Sequence, residues 1–170
     1  MQHFDGAALL STLSGRGVNH VVVGGFAVIA HGVLRTTRDL DICPDPERGN
    51  LERLATLLDE ADATQVGVGE GFDADEMPLD PRRVEDLAQG GNFRLRTNYG
   101  SLDIMQWLAG IDADHAYPTL AADAVEGIVA GIEIRVASLG NLRRMKQAAG
   151  RPQDLEDLRQ LEQAHGPPPA

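Results

Sequence analysis

Asp39 and Asp41 flank a single leucine in the run Asp39-Leu40-Asp41-Ile42. In an extended strand, residues two apart leave the same face, so the two carboxylates would stand together while Leu40 and Ile42 turn toward a core. Like charges that close raise one another's pKa unless a cation lies between them. Oxygen donors with no His or Cys pair nearby suit Mg²⁺ or Mn²⁺ better than zinc. An isolated Asp pair can equally cap the next element or sit solvated at a strand end, so the spacing needs company. Asp103 supplies it by repeating the apolar-Asp-apolar pattern in Leu102-Asp103-Ile104. If the two strands are neighbours, Cβ atoms about 5 Å apart would let three carboxylates share metal ions.

Gly24-Gly25 follows the β-branched run Val21-Val22-Val23 and precedes an apolar segment of helical length. Glycines there let backbone N–H groups approach an anion at a helix N-terminus, although paired glycines also serve simply as a tight turn. A possible phosphate seat and a possible metal seat thus bracket one short segment, and a nucleoside triphosphate needs both. Between them lies Arg35-Thr36-Thr37-Arg38, whose guanidinium groups would stand near a bound triphosphate or balance the carboxylates. Lys146 is the single lysine beside fourteen arginines, and a compact ammonium suits a phosphate. A chance surface lysine is the plainer alternative.

The surrounding pattern supplies the elements that must hold these groups. Residues 5–16 read as an amphipathic helix, Val18 to Val23 as a strand covered on both faces, and residues 25–32 as a small buried helix. His31, in that helix, reads as a packed or edge histidine rather than a ligand. Asp45-Pro46-Glu47 predicts a helix start with Asp45 as cap, followed by the stripe Leu51, Leu54, Leu57 and Leu58. Residues 67–80 are glycine-rich and acidic; Glu70 beside Gly67, Gly69 and Gly71 argues for a connection rather than a phosphate loop. A short helix is expected over Pro81 to Gln89. Phe93 to Thr97 and Ser101 to Trp107 predict a β-hairpin, and residues 124–136 a second one. Ser138 caps a helix carrying Leu139, Leu142 and Met145 that stops at Gly150, and Pro152 opens a last helix with Leu155, Leu158 and Leu161 on one face.

With 170 residues, 42% of them hydrophobic, one compact domain over 1–165 is expected, with residues 166–170 as a disordered tail. No apolar run of about 18 residues and no basic-then-apolar leader is present, which predicts a cytoplasmic protein and no membrane partner. Cys43, the sole cysteine, excludes a disulfide within the chain and reads as a small packed apolar residue. A net charge of −11 argues against broad, non-specific nucleic-acid binding and leans toward a cationic small substrate or a protein acceptor. A local groove of Arg94, Arg96, Arg143 and Arg144 would lean toward RNA.

Gly24-Gly25, thirteen residues, Asp39-Leu40-Asp41-Ile42, Asp103 on a later strand, and the closing block Met145-Lys146 through Arg151-Pro152-Gln153-Asp154-Leu155-Glu156-Asp157 together resemble the polymerase-β-type nucleotidyltransferase superfamily. The likeness covers roughly 18–160 and is nearest to the small prokaryotic branch with AbiE-type and MenT-type toxins and minimal nucleotidyltransferases. It implies an α/β fold, a mixed sheet flanked by helices with C-terminal helices packed beside the active site. It also implies transfer of an NMP group from an NTP such as ATP to a hydroxyl acceptor, with two Mg²⁺ (or Mn²⁺) ions. Asp39 and Asp41 would bind both metals. Asp103 would bind the catalytic one and help activate the attacking hydroxyl. Gly24, Gly25, Arg35, Arg38 and Lys146 would hold the nucleotide. The acceptor it implies is tRNA or a protein, in a toxin-antitoxin setting with a cognate antitoxin. A small-molecule (antibiotic) acceptor, or an inactive binding module of the same fold, are the alternatives. Many relatives carry Gly-Ser where this chain has Gly24-Gly25, which removes one hydroxyl contact to phosphate.

Overall fold

The computed structural model describes residues 3–67, 78–112 and 114–170. Gly69, Glu70 and Gly71, and with them most of the glycine-rich acidic connection, lie outside the described residues. Helix α1 (Gly6–Gly15) opens the chain, with Asp5 as its cap and Leu9, Leu10 and Leu13 buried. Strand β1 (His20–Val23) runs directly into α2 (Gly24–Ala30), and β2 (Asp39–Pro44) returns antiparallel to β1. Helix α3 (Arg48–Glu60) buries Leu51, Leu54, Leu57 and Leu58, the stripe its 3.6-residue period predicts.

The start of α3 corrects one expectation. Its cap is Glu47, whose carboxylate accepts from the Gly49 and Asn50 N–H groups at 2.9 Å each, while Asp45 accepts from Glu47 N–H at 3.0 Å. Asp45 therefore shapes the turn before the helix. The longer Glu side chain reaches the free amide donors.

Strand β3 (Thr64–Gln65) and helix α4 (Val84–Ala88) lead to the first hairpin, β4 (Asn92–Thr97) and β5 (Gly100–Met105). Helix α5 (Tyr117–Asp123) precedes the second, β6 (Val125–Val129) and β7 (Ile132–Val136). Among the described residues the seven strands form one mixed sheet in the order β3-β4-β5-β2-β1-β7-β6. Pairing is parallel between β2 and β5 and between β1 and β7, and antiparallel elsewhere. Leu40, Ile42, Leu102 and Ile104 are fully buried and form the centre of the core on one face of β2 and β5. Cys43, on the other face of β2, is a buried thiol that burial pushes up to about 12.

Helices α6 (Leu139–Ala149) and α7 (Pro152–His165) close the fold. Ser138 caps α6 and Gly150 ends it in the left-handed region, as expected. In α7 the buried face differs from the expected one. Leu161 is buried but Leu155 is 56% exposed, and the buried positions are Asp154, Asp157 and Leu161. Two carboxylates displace a leucine from the inner face because cations await them there.

Candidate active site

The register of the sheet sets Val23, Asp41, Asp103 and Arg94 in one row across β1, β2, β5 and β4. Period-2 alternation then puts Asp39, Asp41 and Asp103 on one face, opposite the Leu40, Ile42, Leu102 and Ile104 core. Adjacent strands lie about 4.8 Å apart, so Asp41 and Asp103 are immediate neighbours. The three carboxylates face a cleft of about 480 Å³, a volume ordinary for small-molecule sites. Gly24, Gly25, Arg35, Lys146 and Arg151 line the same cleft.

Gly24 is there for two reasons. Its φ is +65°, and a Cβ on it would fall 2.1 Å from Asp41 Oδ2. Gly25 is constrained by contact alone: a Cβ would lie 2.8 Å from Thr37 Oγ1. That hydroxyl donates to Asp39 Oδ1 at 3.0 Å, so the space that a serine side chain would need at this position is held by Thr37. This accounts for the departure from Gly-Ser in physical terms.

Burial first, then Asp39 and then Asp103, raise the Asp41 carboxyl to about 7. Asp103 is also raised, by burial, with Arg94 opposing it across a 3.6 Å contact. Asp103 Oδ1 is buried with no hydrogen-bond partner. Among the described residues no three His, Cys, Asp or Glu side chains converge into a ready-made metal cage. The orphaned oxygen, the raised carboxyls and the all-oxygen donor set nevertheless fit a hard divalent cation.

Beside the carboxylates, α6 and α7 are joined by a buried ionic cluster. Lys146 Nζ lies 3.0 Å from Asp154 Oδ1 and 2.8 Å from Asp157 Oδ2. Arg35 Nη1 donates to Asp157 Oδ2 at 2.6 Å, Gln153 Nε2 to Asp157 Oδ1 at 3.1 Å, and Arg151 Nε to Asp154 Oδ2 at 2.7 Å. Burial works to raise Asp154, but its bonds from Arg151 and Lys146 hold it below the usual carboxylate range. Lys146 therefore faces the cleft already paired to two carboxylates. In sequence Asp154 and Asp157 stand out as part of the Arg-Pro-x-Asp-x-x-Asp block, which the resemblance sets beside the site, but their ionic partners are not visible there.

Arg38 stands apart from the other site residues. It is exposed and does not line the cleft. It lies in the bend immediately before β2. His31 is satisfied as expected, its Nε2 lying 2.8 Å from the Ala137 carbonyl. The far wall of the cleft, Met105, Trp107, Leu108, Leu142 and Met145, carries no sequence signal beyond apolar periodicity.

No protein-family model matches the sequence, and no curated protein is detectably similar to it in sequence. Solved structures are similar in fold. The lincosamide antibiotic adenylyltransferase LnuA, determined bound to lincomycin, superposes with a TM-score of 0.60 at 15% identity, covering 93% of this chain and 94% of that one. The antibiotic-resistance factor ANT(2'')-Ia gives 0.57 at 17% identity over 93% of this chain and 80% of that one. Its complex with adenylyl-2''-tobramycin gives 0.56 at 19% identity over 92% and 84%. The chain thus has the nucleotidyltransferase fold, as the resemblance implies.

Proposed function

We propose that the protein is a metal-dependent nucleotidyltransferase that moves an NMP group from an NTP to a hydroxyl acceptor and releases pyrophosphate. The observation that carries this reading is the in-register pair Asp41 and Asp103, with Asp39, on a cleft floor beside Gly24-Gly25. Two Mg²⁺ or Mn²⁺ ions held by these three carboxylates would supply charge neutralisation at the phosphates and a lowered pKa at the acceptor hydroxyl. The remaining work falls to the chain. Gly24 and Gly25 let the backbone approach the triphosphate, and the first turn of α2 has no side-chain cap competing for its N–H groups. Arg151, exposed at the cleft, and Arg35 present guanidinium groups to the phosphates. Lys146 adds a fixed positive charge, its position set by Asp154 and Asp157.

The acceptor has two supports of different kinds. The sequence resemblance favours a toxin-type enzyme acting on tRNA or a protein in the cytoplasm, with an antitoxin as partner. Lincomycin in LnuA and adenylyl-2''-tobramycin in ANT(2'')-Ia favour a small hydroxylated molecule. The inactive-module alternative is disfavoured by the intact carboxylate set. Pyrophosphate release from each NTP in turn, with tRNA, protein or a hydroxylated antibiotic offered as acceptor and with and without Mg²⁺, tests the reading. Release that needs the metal and falls on the order of 10³-fold in Asp103→Asn is expected. Metal-independent release, or release unchanged in that variant, contradicts it.

A further inference from the structure

The acceptor side of the cleft has its own chemistry, which follows from the nucleotidyltransferase reading and rests on it. In-line displacement requires the acceptor hydroxyl to approach opposite the leaving pyrophosphate. Gly24, Gly25 and Arg35 lie on the β1–β2 side of Asp41, so the opposite side, beyond Asp103, is formed by β4 and the residues after β5. Trp107 and Arg94 stand there.

Trp107 is the only tryptophan of the chain and is 52% exposed. It is nevertheless fixed. Its Nε1 donates to the Asp114 carbonyl at 2.9 Å, its backbone N–H donates to Asn92 Oδ1 at 3.0 Å, and Asn92 Nδ2 donates to its carbonyl at 2.9 Å. Gly90, at φ +82°, lies beside the ring, where a Cβ would stand in ordinary van der Waals contact, 3.4 Å from Cζ2. A large aromatic face held rigid yet open at a cleft mouth is a stacking platform. Arg94, two residues from Asn92 on the same face of β4, is 68% exposed in its side chain although its Nε lies 3.6 Å from Asp103 Oδ2, and exposed Arg96 follows opposite Ser101.

Among the described residues lining the cleft there are four carboxylates, Asp39, Asp41, Asp103 and Asp154. Three form the metal set and the fourth is bound by Lys146 and Arg151. No carboxylate is left over for the ammonium groups of a polycation.

We infer that Trp107 and Arg94 form the acceptor subsite and that it takes a nucleotide unit, a planar base on the Trp107 ring with the adjoining phosphate on Arg94. A free mononucleotide and the end of an RNA strand share that chemistry. The test uses the full chain with Mg²⁺ and a saturating non-hydrolysable NTP analogue, so that the donor seat is filled. AMP, an RNA trinucleotide and tobramycin are then titrated while Trp107 fluorescence is followed. Saturable quenching by the nucleotides is expected, weakened about tenfold in Arg94→Gln and partly restored in Arg94→Lys. By calorimetry Trp107→Phe keeps this binding and Trp107→Ala loses about tenfold. Tighter binding of the trinucleotide than of AMP assigns the RNA end; equal binding assigns the free nucleotide. Saturable quenching by tobramycin alone, no response to any ligand, or nucleotide affinity unchanged in Arg94→Gln overturns the inference. Separate calorimetry of the NTP analogue reports on the donor seat, so loss of the nucleotidyltransferase reading is seen independently of the acceptor result.

Discussion

Asp41 is the residue on which the account turns, because its carboxyl is raised to about 7 by burial and by Asp39 and Asp103. A carboxyl whose folded-state pKa lies above its ordinary value near 3.8 favours folding when protonated. Its contribution is therefore present below about pH 4 and is lost as pH rises toward about 7. The stability of the wild type relative to Asp41→Asn, followed by urea denaturation without metal, is expected to fall across that window and level off above it. A constant difference would show that Asp41 is not electrostatically strained. Gly24→Ala tests the backbone beside it. A Cβ directed at Asp41 Oδ2 on a residue at φ +65° is expected to cost about 1–2 kcal/mol or more in stability and to abolish transfer. At this scale the sequence is informative where spacing alone dictates geometry: Asp39 and Asp41 share a face in any strand. It cannot show that Arg38 lies outside the cleft lining while Arg35 is in it, or that Thr37 fills the space a serine would need in place of Gly25.

Helices α6 and α7 act as a clamp whose inner surface is ionic. Lys146, Asp154 and Asp157 are all buried, so removing one partner leaves uncompensated charge. Lys146→Met is expected to cost about 3–5 kcal/mol in denaturant unfolding, far more than loss of a surface lysine. A cost below about 1 kcal/mol, the range of an exposed ion pair, would mean that the cluster does not hold the helices together. Local signals make most elements legible: both hairpins, the Ser138 cap, the Gly150 stop and the α3 stripe each depend on a few neighbouring residues. What depends on partners distant in sequence is not. The parallel pairings β2–β5 and β1–β7 have no local signature, and helix α5 offers only Pro118 in its first turn. Leu155 reads as core in the sequence because leucine periodicity outweighs aspartate periodicity when the positive partners, Arg35 and Lys146, are unknown.

For the whole molecule, a net charge of −11 coexists with a cleft lined, among the described residues, by four carboxylates and four cations, Arg35, Arg94, Lys146 and Arg151. Global charge thus says little about the substrate, and bound divalent ions would turn the cleft positive. A ligand that binds only the folded state stabilises it by about 2.7 kcal/mol at a hundredfold excess over Kd. Mg²⁺ is accordingly expected to raise the Tm of the wild type by several degrees and to leave that of Asp41→Asn unchanged. An equal rise in both would place the ion elsewhere.

The most direct measurement offers the protein an NTP labelled at the α-phosphate or at the γ-phosphate, with Mg²⁺, and follows label onto an RNA trinucleotide. Transfer from the α-labelled NTP alone, lost in Asp41→Asn, is what the Asp39, Asp41 and Asp103 cleft predicts. Transfer from the γ-labelled NTP, or equal α-label transfer by Asp41→Asn, would contradict it.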